Sequence, residues 1–228
     1  MTHISPVKQR LRFTFGKFGA LKYISHLEVA KLWERVLRRA NAPILYSEGF
    51  NARPRFHLAS PLPLGMTSEC EIAEVMLREV LPTLDGLVER LESVSPAGLK
   101  VYSIVPVSIQ SPALQTLVRS AEYRVTFMDS LRRDDLQARI DAILTADSII
   151  RRKTDKKGRT HIQDLKPLIY ALTLESDNCR GEACLAFRAH VAAGAQNNLR
   201  LSDLLEEMGL AEYHWQAHRL RLGLEEIS

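Results

Sequence analysis

The chain has 228 residues, 46 % of them hydrophobic and 25 % charged, with a formal charge of +4 and a pI near 9.0. That balance fits a soluble globular protein long enough for one large domain or two of about 110 residues each. No run of 18 apolar residues occurs and residues 1–10 lack the apolar centre of a secretory signal, so no membrane span is expected and the location reads as cytoplasmic.

Leu11 to Phe15 alternates in strand fashion, and Gly16 and Gly19 are expected to break it. Ser25-His26-Leu27-Glu28 fits a capping box, in which the serine accepts from the backbone at Glu28 and the glutamate reaches back. A helix then runs from His26 to Ala40, and Asn41, Ala42 and Pro43 stop it. Winding it at about 100° per residue puts Leu27, Ala30, Trp33, Val36, Leu37 and Ala40 on one side and Lys31, Arg35, Arg38 and Arg39 on the other. Two readings of this basic stripe stand together. It is a solvated face with local pairs from Glu28 and Glu34, or a ridge on which several cations act additively on a polyanion. His26 falls on the apolar side of the first turn. It is a packed structural histidine or a general acid/base for RNA cleavage, with Tyr23, Tyr46 or His57 as neighbour.

The stretch from Tyr46 to Gly65 is rich in Gly, Pro, Asn, Arg and aromatic residues, a composition that shapes a fixed surface loop, where binding tends to sit. Gly49 permits a turn, Tyr46 and Phe50 offer faces for a base, and Asn51 supplies both a donor and an acceptor. Pro54 holds Arg53 extended, which sets Arg53 and Arg55 on one side about 7 Å apart, near the phosphate repeat of a strand. Alternatively Ser47 and Asn51 tie the loop down while the arginines pair with Glu48, Glu69 or Glu71.

Extended segments at Pro54–Ala59 and Glu71–Leu77, a helix opened by Pro82, and a strand over Lys100–Val107 complete a β-α-β-β-α-β order. The second half repeats it: a strand at Glu122–Phe127, a helix after Asp134, two strands around a charged turn or a long hairpin from Ser148 to Leu174, a strand at Ala183–Val191, a helix at Ser202–Met208 and a strand at Trp215–Leu222. The expected fold class is α+β, with two tandem ferredoxin-like (βαββαβ) units on antiparallel sheets, residues 1–107 and 121–228, and residues 108–120 as linker. Near the hairpin tip, Arg151, Arg152, Lys153, Lys156, Lys157 and Arg159 place six cations in nine residues. They form either a solvated turn or a phosphate-contacting arm. Cys70, Cys179 and Cys184 make neither a disulfide framework nor a C-x₂-C pair and read as free thiols. No histidine pair has ligand spacing, so neither a metal nor a cofactor is expected.

Lys22–Gly65, read as K-Y-I-S-H-L-E, R-R-A-N-A-P, Y-S-E-G-F-N-A-R-P-R and P-L-P-L-G, and followed by Ser68-x-x-Glu71, resembles the radical SAM-associated family catalogued as DUF2344. Ala121-Glu122-Tyr123 and Asp164 to Ile169 also resemble it. The resemblance implies a radical SAM protein as partner, because the domain is often fused to one or encoded beside one. Two departures matter. Arg53 stands where the family usually has histidine, which favours a cationic contact over a catalytic or metal-binding one. The C-x₃-C-x₂-C that holds a radical SAM cluster is lacking, so that chemistry is not this chain's own.

The expected function is a non-catalytic RNA-binding or substrate-docking accessory protein that works with a radical SAM enzyme in tRNA or rRNA metabolism. The alternatives are a metal-independent endoribonuclease using His26, and a protein-interaction adaptor.

Overall fold

The computed structural model describes residues 7–154, 158, 160–179 and 182–225, with side chains at 154, 176–179 and 182–183 outside that description. The chain divides into two compact units, Met1–Val118 with Leu224–Ser228, and Arg119–Gly223. The division falls within the segment expected as linker.

In the first unit β1 (Gln9–Lys17) leads through a 3₁₀ turn (Gly19–Tyr23) to α1 (His26–Arg39), followed by β2 (Phe56–Leu58), β3 (Thr67–Leu77), α2 (Leu87–Val94) and β4 (Leu99–Val107). β1 lies between β3 and β4, β2 adds to β3, and these pairings are all antiparallel. The period-two pattern sends Leu11, Phe13 and Phe15 of β1, with Ala73, Val75 and Leu77 of β3, into one core. Trp33 of α1 seals it, with its ring centroid 5.3 Å from Phe13, 5.0 Å from Phe15 and 5.9 Å from Phe56. These contacts fix the rotation of α1 and therefore which of its faces meets solvent.

Four local expectations change. Gly16 continues β1 instead of ending it, and the Phe18 ring and the Tyr102 hydroxyl occupy the space that a Cβ would need there. Leu27 is 72 % exposed and Val29 takes the buried place in the first turns of the helix. α2 begins after Gly86, whose φ of 69° turns the chain into the helix, and not after Pro82. Residues 108–120 are not a loose linker. They hold a helical turn, α3 (Leu114–Leu117), with both leucines buried, and run straight into the next strand at Val118.

A buried ionic cluster fastens that segment to β1. The Arg10 guanidinium donates to the carbonyls of Ser111 (2.6 Å) and Pro112 (2.8 Å) and, through Nε, to Glu74 at 2.8 Å. Glu74 also accepts from Arg12 Nε at 3.0 Å and Nη2 at 2.8 Å.

The second unit contains β5 (Val118–Phe127), α4 (Arg133–Thr145), β6 (Ile150–Thr154), β7 (Thr160–Asp164), β8 (Ile169–Cys179), β9 (Glu182–Ala192), α5 (Leu201–Glu207) and β10 (Trp215–Leu224). The strands lie in the order β10-β5-β9-β8, with β6 and β7 as a separate antiparallel ribbon. The long hairpin read from Ser148 to Leu174 is thus that ribbon followed by the start of β8. Its core includes Val125, Phe127, Ile140, Phe187, Leu204 and Leu205. Cys184 is disulfide-bonded, which corrects the reading of three free thiols; Cys70 forms no disulfide. The antiparallel pairing of β8 with β9 puts residues 179 and 184 on neighbouring strands, a proximity that linear spacing conceals. The protein is of the α+β class.

Candidate nucleic-acid interface

The capping box forms as read. Ser25 Oγ accepts from the Glu28 amide at 3.3 Å, and the Glu28 carboxylate accepts from the Ser25 amide at 2.6 Å. That backbone hydrogen bond holds the Glu28 carboxyl below its ordinary value. With the helix start pinned and Trp33 locked into the core, Lys31, Arg35, Arg38 and Arg39 all project into solvent.

Tyr46 to Pro54 forms an arch closed at its base. Tyr46 bridges to Pro54, the Ser47 amide donates to the Arg53 carbonyl at 2.7 Å, and the Arg53 amide donates to Ser47 Oγ at 2.9 Å. The Arg55 amide donates to Leu45 at 2.8 Å, and the Met76 amide donates to the Arg55 carbonyl at 2.9 Å, which anchors the arch to β3. Gly49, with φ 107°, turns the crown. Phe50 stands there fully exposed, with Asn51 and Arg53 exposed beside it. So Ser47 does tie the loop down, and this leaves the crown side chains presented.

Tyr46 joins arch and helix. Its hydroxyl donates to Glu34 Oε1 at 3.3 Å. Burial and the Glu34 carboxylate push its phenol upward while Arg38 pulls it back, so the hydroxyl lies within the field of both α1 residues. This engagement makes Tyr46 a strut and leaves Phe50 as the exposed aromatic ring of the arch. Arg55 is half-buried at the foot of the arch.

Charge pairing separates the arginines of this unit. Arg10 and Arg12 are clamped on Glu74. Among the described residues, Lys31, Arg35, Arg38, Arg39, Arg53 and Arg55 take part in no salt bridge, and the pairings considered for Arg53 and Arg55 with Glu48, Glu69 or Glu71 do not occur.

The basic ribbon of the second unit differs. Arg151 donates through Nη1 to Glu207 at 2.7 Å and through Nη2 to Asp203 at 3.2 Å, and it also pairs with Glu206. Hydrogen bonds to Glu206 and Glu207 raise its guanidinium further still. Lys153 lies 3.8 Å from Asp203, and Arg152 is exposed. Lys156, Lys157 and Arg159 lie outside the described residues.

His26 does not meet Tyr23, Tyr46 or His57. It lines a small recess with Lys17 and Glu71, walled by Phe15, Val29, Leu58 and Leu62. His57 lies beside Glu74, Arg10 and Arg55 instead, and Tyr23 is exposed with the Lys22 ammonium 5.1 Å above its ring. Lys17 and Glu71 were passed over as site residues, although a signal existed. Lys17 is in phase with Phe13 and Phe15, and Glu71 with Ala73 and Val75, and a charge on the apolar phase of a strand points inward.

Burial holds the His26 imidazole below its ordinary 6.5, opposed by Glu71 and reinforced by Lys17. The folded chain then binds fewer protons than the unfolded one, so stability is full above pH 6.5, falls as the pH drops below that value and levels off beneath the folded one. His57, also lowered chiefly by burial, acts in the same direction. Urea melts between pH 7.5 and 5.5 should show a falling midpoint. His26→Gln should flatten part of that slope; an unchanged slope would contradict the assignment.

An α+β protein with a basic helix face and an arch that exposes an aromatic ring is the class that fold and site define. The family model for DUF2344, an uncharacterised protein conserved in bacteria, matches residues 10–201, and the chain belongs to that family. No curated protein matches it. Among solved structures it is similar to a chain of a Cbf5-Nop10-Gar1 complex, at 14 % identity and a TM-score of 0.50, over 95 % of this chain and 51 % of that one. It is also similar to a chain of the archaeal box H/ACA sRNP Nop10-Cbf5 complex, at 14 % identity and a TM-score of 0.47, over 95 % and 49 % of the two chains. The chain thus spans about half the length of these structures. Among the described residues no helix is long and apolar enough to cross a membrane.

Proposed function

We propose that this protein is a non-catalytic RNA-binding or substrate-docking accessory protein of the cytoplasm, working with a radical SAM enzyme in tRNA or rRNA metabolism. The observation that carries the reading is that Arg10 and Arg12 are clamped on Glu74 while Lys31, Arg35, Arg38 and Arg39 of α1 and Arg53 of the arch stand exposed without a salt bridge. Several exposed cations beside an exposed Phe50 are what a single-stranded RNA needs: electrostatic tracking plus a platform for one base. We also read the scaffold as two tandem ferredoxin-like units, supported by the same order of strands within each. The radical SAM partner rests on the resemblance of the Lys22–Gly65 motif.

Cross-linking in cells, followed by sequencing of the bound RNA, tests the reading. Recovery of tRNA or rRNA fragments is expected; an empty result rejects it. Salt-resistant co-purification with a radical SAM protein, free of nucleic acid, would point to a pure adaptor instead.

The recess joining His26 to Glu71 and Lys17 favours one second reading, a metal-independent endoribonuclease with His26 as acid/base. Its mark would be cleavage of RNA in EDTA that His26→Ala abolishes without unfolding the protein.

A further inference from the structure

The arch and α1 each offer groups to a polyanion, and what ties one to the other is a side-chain bond. Backbone hydrogen bonds close the arch on itself at Ser47 and Arg53, and those of Arg55 run to Leu45 and Met76. Among the described residues, the hydrogen bond that reaches from the arch to α1 is the one the Tyr46 hydroxyl donates to Glu34 Oε1 at 3.3 Å. The Tyr46 ring is half-buried against the first unit's core, so the hydroxyl is held out to Glu34 from a seated ring.

Glu34 stands where another pairing was open to it. Lys31 precedes it by three residues and Arg38 follows it by four, the spacings at which a helical carboxylate meets a cation. Its carboxylate meets the tyrosine instead, and both cations stay exposed. A carboxylate on this face repels a phosphate strand and so weakens the electrostatic part of binding. What Glu34 supplies is order in the arch, and order fixed beforehand is entropy that binding need not lose.

The reach between the two elements is short. Phe50 is four residues from Tyr46, so its Cα lies at most about 14 Å away even along extended chain. Arg38 is close enough to the Tyr46 hydroxyl to pull its phenol downward. A strand with one base on Phe50 can therefore keep neighbouring phosphates on α1.

We propose that α1 and the arch hold one RNA strand together, with a base on Phe50 and adjoining phosphates on the α1 cations, and that Tyr46 and Glu34 are the positioning pair that keeps the two elements in register. The inference rests on the RNA reading of this face.

Fluorescence anisotropy with a labelled oligo-A 12-mer and its abasic counterpart, which keeps the sugars and phosphates, tests it. The wild type should bind oligo-A at least about fivefold more tightly, the value of one stacked base, with the same salt slope for both. Phe50→Ala should remove that preference. Tyr46→Phe, which keeps the ring, should reduce it by about threefold or more, the effect of one hydrogen bond, and leave the salt slope unchanged because no phosphate contact is lost. The residue at 34 separates a positioning pair from a direct contact of the hydroxyl with RNA. With Glu34→Gln, whose amide oxygen still accepts, Tyr46→Phe should have the same effect; with Glu34→Ala the preference should already be reduced and Tyr46→Phe should add nothing. Urea midpoints matching the wild type identify the variants to be compared. A full preference in folded Tyr46→Phe overturns the inference, as does an equal effect of that change with and without an acceptor at 34. Equal binding of the two oligomers by the wild type also overturns it while leaving the cationic face in place. Failure of both to bind overturns the RNA reading itself and this inference with it.

Discussion

Replacing Glu74 by glutamine is expected to lower the free energy of unfolding by about 3–5 kcal/mol, because it leaves buried cations without their counter-charge. Arg10 is 4 % and Glu74 1 % exposed, so neither group can recover hydration by a small movement. Glu74 accepts from both guanidiniums, and Arg10 in turn carries the Ser111 and Pro112 carbonyls. The effect therefore reaches from the strand into residues 108–117. Arg12→Ala should cost much less, since Arg12 is 21 % exposed and Arg10 keeps Glu74 neutralised. Urea denaturation of the three proteins reads the difference. A Glu74→Gln midpoint within error of wild type would mean that solvent reaches the cluster.

Changing Arg53 and Arg55 together to alanine should weaken RNA binding by roughly 2–4 kcal/mol, the value of two charge-assisted contacts. The salt dependence should change as well. Two lost phosphate contacts to a single strand make the slope of log K against log salt shallower by about 1.4. Neither backbone role of these residues depends on the side chain: Arg53 meets Ser47, and Arg55 meets Leu45 and Met76, through main-chain atoms. A folded double variant with unchanged affinity and slope would remove the arch from the interface.

Much of this architecture was legible in the sequence because period and punctuation agree with each other. The strand at Leu11–Phe15, the capped helix and the alternation of Glu71–Leu77 all follow from local chemistry. What stayed hidden was long-range. Arg10, Arg12 and Glu74 are more than 60 residues apart in pairing, and nothing near either strand announces that these charges neutralise each other. Arg151 looked like a phosphate contact within a run of cations, and only the fold brings it to α5. The His26 neighbourhood was misjudged for the same reason. Aromatic and histidine residues nearby in sequence seemed the natural partners, while its true companions come from β1 and β3. The inward phase of Lys17 and Glu71 was readable, but the phase alone does not say that both face one histidine.

The clamp on Arg151 also changes how the basic ribbon should behave towards a polyanion. Asp203, Glu206 and Glu207 act as resident counterions, occupying the guanidinium that a phosphate would otherwise seek. A polyanion that engages the ribbon displaces mobile salt ions from Arg152, but at Arg151 it must first displace carboxylates that cannot diffuse away. The ribbon then presents a smaller effective valence to solution than its sequence suggests, and titrating salt measures that valence directly.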